Sequence, residues 1–73
     1  MPNNTNTVTA QTITTAQINA LMQSAGEAGD TEMVAICERT SRLRVRLGEI
    51  TAEEREAALA ECVRAINAGE AMA

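Results

Sequence analysis

The chain has 73 residues, no aromatic side chain, no histidine and a formal net charge of −4 at neutral pH. That length limits it to one domain, and the core must be built from Leu, Ile, Val, Met and Ala, without the ~150–250 Å² that one aromatic ring can bury. Chains shorter than about 70–80 residues rarely draw more than ~3–5 kcal/mol from a single core, so self-association or a partner is expected to add to it, while the acidic balance argues against general binding to nucleic acid or acidic membranes.

Residues 1–12 are rich in Asn, Thr and Gln and offer nothing that builds a core, so they read as a disordered N-terminal arm. They also lack the basic start and apolar run of a signal peptide. Nowhere does the chain approach the ~20 apolar residues of a membrane span.

A first helix is expected over 14–28. Thr14 and Gln17 have the spacing of a capping box, and Ile13 can close on Ile18 as a hydrophobic staple. Ile18, Leu21, Met22 and Ala25 make one narrow apolar face, and the helix ends near Gly29. So short a helix is marginal alone. It has to dock on the rest of the chain or on another subunit.

A second helix is expected over 31–47, with Asp30 as its N-cap and Glu32 near the positive end of the dipole. Met33, Ile36, Cys37, Thr40, Leu43 and Leu47 recur three or four residues apart and form one apolar stripe. Glu38 stands four residues before Arg42, the favourable order for a helical ion pair. Gly48 suits the left-handed position past the helix end. Arg42 to Leu47 also alternates with a strand period, which would put Arg42, Arg44 and Arg46 on one face. The helical reading is preferred because the stripe runs on unbroken from Met33. It leaves Arg44 close to the apolar side, where its head must reach back to solvent.

The third helix, over 52–68, carries the clearest signal. Thr51 and Glu54 form a second capping box, Glu53 and Glu56 add negative charge to the first turn, and Leu59, Cys62, Val63 and Ile66 form the apolar face. Gly69 is expected to close it, leaving residues 71–73 as a disordered tail. The short link after Gly48 favours antiparallel neighbours. The fold expected is therefore all-α: one helical domain over 13–70, three helices built on an antiparallel helical hairpin.

Catalysis is not expected. Without an imidazole there is no Ser–His or Cys–His arrangement, the glycines lack the Lys and spacing of a phosphate loop, and the acids of 53–56 sit where helix stability places them. No cofactor and no metal site are expected. Cys37 and Cys62 come close to opposite each other across the hairpin, either as two buried thiols or as a disulfide lock.

Positive charge is concentrated. There is no lysine, and four of the six arginines lie at Arg39, Arg42, Arg44 and Arg46. These four are the candidate partner-binding residues. They make either a solvated face with local ion pairs or a contact surface for carboxylates or phosphates, which the planar guanidinium suits better than an ammonium.

Ile13-Thr14, Gln17-Ile18, Ala20-Leu21, Ala28-Gly29-Asp30 and Met33-Val34-Ala35-Ile36-Cys37-Glu38-Arg39, followed by Glu61-Cys62, Arg64 and Ile66, resemble a pattern in small uncharacterised helical proteins of bacteriophages and bacterial mobile elements. The resemblance spans most of residues 13–68 and departs at 40–50, the stretch that holds most of the arginine cluster. It implies a phage or mobile-element setting and carries no catalytic residues; with no signal peptide or membrane span read in the chain, the expected location is the cytoplasm of a bacterial host cell. The function expected is a non-catalytic protein–protein interaction protein, an accessory of a phage or mobile element that self-associates, with a dimer favoured. The partner expected besides a second copy is a host or phage protein, and a narrower form of the function is an inhibitor of a host defence system. The alternative is a nucleic-acid-binding protein in which Arg42, Arg44 and Arg46 form a ribbon-like strand presented to the major groove.

Overall fold

The computed structural model describes residues 7–72, with side chains described through Gly69. Among the described residues there are four helices: α1 (Thr15–Ala28), α2 (Thr31–Glu38), α3 (Arg42–Arg46) and α4 (Ala52–Met72). Among the described residues there is no strand. The all-helical class agrees with the sequence, whereas the count of three helices does not.

Both capping boxes are present. Thr14 N–H donates to Gln17 Oε1 at 2.8 Å while Gln17 N–H donates to Thr14 Oγ1 at 3.1 Å. The same exchange joins Thr51 and Glu54, at 2.7 and 3.0 Å. Asp30 caps α2 by accepting Met33 N–H at 3.1 Å. Gly29 and Gly48 stand at φ 77° and 78°, the left-handed conformation that glycine adopts without a Cβ clash. Each closes a Schellman motif. Asp30 N–H reaches Ala25 O at 2.8 Å behind Gly29, and Glu49 N–H reaches Arg44 O at 2.9 Å behind Gly48.

The expected helix over 31–47 breaks after Glu38. Thr40 Oγ1 bends back to Cys37 O at 2.6 Å, a side-chain bond that competes with the next helical turn. Ser41 is extended, with ψ 124°, and its hydroxyl starts α3 by accepting Arg44 N–H at 3.4 Å. Arg55 Nε donates to Thr40 O at 2.8 Å from the first turn of α4. The break changes the helical phase, so the apolar stripe ends at Thr40. Leu43 and Leu47, expected in the core, are 57% and 62% exposed. The strand expected by the ribbon alternative is a short helix here, since α3 is capped at both ends.

The N-terminal expectation also needs correction. Residues 1–6 of the expected arm lie outside the described residues, but 7–12 are placed. Val8 is only 5% exposed. Asn67 holds its backbone from both sides: Val8 N–H donates to Asn67 Oδ1 at 2.8 Å, and Asn67 Nδ2 donates to Val8 O at 2.9 Å. Thr9 and Thr12 then form a turn into α1, with Ile13 N–H on Thr9 O at 2.9 Å. At the other end Gly69 does not close α4, which continues to Met72, and of the expected tail only Ala73 lies outside the described residues.

α1 packs mainly on α2, and α2 in turn on α4, while α3 lies against α4 and reaches back to the end of α2 through Arg44 and Glu38. The buried apolar side chains are Val8, Ala25, Cys37, Ala58, Leu59 and Cys62, so Leu59 is the one large member of the core among the described residues. The radius of gyration is 12.7 Å, above the ~11 Å of a compact chain of this length.

Candidate interaction surface

α3 presents the most unusual surface. At 3.6 residues per turn, Arg42, Arg46, Leu43 and Leu47 occupy one contiguous arc of ~140°. All four are exposed, while Arg44 and Val45 on the opposite side are half-buried. Arg44 does not pair as sequence spacing implies. It reaches Glu38 at 4.0 Å and Glu49 at 3.9 Å, one acid before α3 and one after it. The expected Glu38–Arg42 pair assumed a continuous helix, and the break gives Glu38 to Arg44 instead. Solvent screens pairs as open as these, so they orient α3 more than they stabilise it.

The four candidate arginines are therefore divided. Arg42 and Arg44 border a cavity of about 690 Å³ between α1, α3 and α4, whose apolar wall includes Ile18, Met22 and Leu59. Arg39 borders a different groove of about 600 Å³ between α2 and α4. Its lining joins apolar Met33, Ile36, Ala57 and Ala58 to the carboxylates of Asp30, Glu32, Glu54 and Glu61. Arg46 borders neither.

Arg55 was not singled out from the sequence. It lines the larger cavity and ties α4 to the end of α2 through Thr40 O. A signal was present. Arg55 follows Glu53 and Glu54 at the positive end of a helix dipole, where a cation is unfavourable unless it has a partner.

Cys37 and Cys62 meet as their opposed positions imply, with the sulfurs 3.9 Å apart and both residues buried as free thiols. Burial is the main reason that both are raised above the usual thiol range. For Cys62, desolvation, then the charge on Cys37 and the hydrogen bond to it, push the thiol up to about 12. For Cys37 burial outweighs the lowering effect of the hydrogen bond from Cys62. Both are protonated at neutral pH and shielded from reagents, the opposite of an activated nucleophile.

Among the described residues no three potential metal ligands come together, and no helix is long and apolar enough to cross a membrane. No family model matches this chain, and no curated protein or solved structure matches it. The phage or mobile-element setting accordingly rests on the resemblance in sequence.

Proposed function

We propose that this protein is a non-catalytic protein–protein interaction protein that self-associates, with α3 as its contact element, in the service of a phage or mobile element. The observation that carries this reading is the exposure of Leu43 and Leu47, at 57% and 62%, on a helix that is well capped. Scattered exposed leucines need no explanation, but two on one face, flanked by Arg42 and Arg46, make an anchor with a polar rim. The slender core supports the same reading, because burying this face in a complex adds the apolar area that one copy lacks. α2 and α4 are read as the two arms of a helical hairpin, joined at Cys37 and Cys62, with α3 projecting from the turn. The absence of histidine and the protonated, buried thiols support a binding role over a chemical one.

The test is the solution mass by light scattering after size exclusion, with reductant, over a wide concentration range. The parent chain is expected to reach a dimer as concentration rises. The double variant Leu43→Ser/Leu47→Ser is expected to remain monomeric with undiminished helicity, since neither leucine is in the core. A parent that is monomeric throughout, or a double variant that associates as the parent does, overturns the proposal.

A further inference from the structure

The surface that receives α3 is identifiable from charge. Leu43 and Leu47 lie with Arg42 and Arg46 on the outward arc of α3, and neither leucine borders the groove between α2 and α4 of its own chain. That groove has the complementary composition: apolar lining that includes half-buried Met33 and Ile36, and the carboxylates Asp30, Glu32, Glu54 and Glu61 against the single Arg39. Asp30 and Glu54 already act as helix caps. Glu32 is exposed, and Glu61 is engaged by the exposed Arg64 at 3.3 Å. Four carboxylates around half-buried apolar side chains repel one another and attract a cationic apolar ridge. In a chain of net charge −4, α3 is where two unpaired arginines and two bare leucines coincide among the described residues.

We infer that α3 of one copy docks into the acidic groove between α2 and α4 of a second copy. The inference rests on the reading above that α3 is the contact element, and adds the surface opposite it. Leu43 and Leu47 cover Met33 and Ile36, and Arg42 and Arg46 meet Glu32 and Glu61. If each copy gives its α3 to the other, the contact closes as a two-fold dimer; if not, it propagates head to tail.

The experiment uses two charge-reversed full-length chains, Arg42→Glu/Arg46→Glu and Glu32→Arg/Glu61→Arg, each checked for helicity by circular dichroism. Neither pair includes a capping residue of the described helices. Each variant alone is expected to be monomeric where the parent is dimeric, with dimer affinity weakened by at least about tenfold. Mixed in equal amounts, they are expected to regain the mass of two chains, in a complex that weakens as salt is raised. If Glu32→Arg/Glu61→Arg fails to fold, Glu32→Gln/Glu61→Gln takes its place and is expected to weaken the dimer and flatten its salt dependence. Parent-like association of either variant, a mixture that stays monomeric, or a neutral pair that leaves the dimer unchanged overturns the groove assignment. In those cases a parent that still associates through Leu43 and Leu47 leaves the broader proposal standing, whereas a monomeric parent removes both.

Discussion

Asn67→Ala tests how the N-terminal segment is held. Asn67 makes two hydrogen bonds to Val8, at 2.8 and 2.9 Å. At a net ~0.5–1.5 kcal/mol each, they contribute ~1–3 kcal/mol. Burying the Val8 side chain adds ~1.5–3 kcal/mol. Against this stands the ordering of Thr7, Val8 and Thr9, at ~1–2 kcal/mol per residue for the backbone. The gains of ~2.5–6 kcal/mol and the cost of ~3–6 kcal/mol nearly cancel, so the segment is docked by ~3 kcal/mol at most. Removing the amide is therefore expected to release the segment without unfolding the helices. Global stability falls by no more than the docking energy, whereas local protection is lost. Hydrogen exchange reads the difference, and protection of the Val8 amide is expected to drop at least about tenfold, the equivalent of ~1.4 kcal/mol. Asn67→Asp is expected to release the segment too, because a carboxylate cannot donate to the Val8 carbonyl. Val8→Ala should add little once Asn67 is gone, since the two act as one unit. Unchanged Val8 exchange in Asn67→Ala would refute this account.

Other outcomes follow from the same geometry. Cys62 is raised from 9.0 to about 12 and Cys37 is also raised, so the thiols' contribution to stability is expected to be constant below about pH 9. It should then fall toward pH 12, because the unfolded thiols ionise first, by up to ~1.4 kcal/mol per pH unit per thiol. Denaturant titrations should show this decline, and it should shrink in Cys62→Ala measured against its own neutral-pH value. Arg55→Ala removes a guanidinium bond to Thr40 O and is expected to cost ~1.5–3 kcal/mol, seen as a lower thermal midpoint; Arg55→Lys should restore little of it, lacking the planar Nε. Gly48→Ala forces a Cβ into φ 78° and should cost ~1 kcal/mol or more, as should Thr51→Ala through loss of a cap. Both are readable in urea midpoints.

The features that the sequence alone determined are those settled within four residues. Thr14 with Gln17, Asp30 with Met33 and Thr51 with Glu54 are side chains answering free backbone donors three positions away. Gly29 and Gly48 mark helix ends because a left-handed residue favours glycine. The placing of Ala25, Cys37, Leu59 and Cys62 on apolar helix faces follows from helical period, although the two thiols, 25 positions apart, meet only because α2 packs on α4. The candidate surface was legible as an arginine-rich stretch, but its division was not.

Tertiary structure decided what depends on partners far apart in the chain. The Ser41 cap competes with an apolar stripe that continues in period through Leu47, and sequence spacing favours the stripe. Arg55, fifteen residues beyond Thr40, takes the Thr40 carbonyl at the break. That break turns Leu43 and Leu47 outward and sends Arg44 to Glu38 and Glu49. Val8 and Asn67 are separated by 59 positions, so nothing near Val8 marks it as held. The acidic groove likewise exists only once α2 lies beside α4, bringing Asp30 and Glu32 into one lining with Glu54 and Glu61.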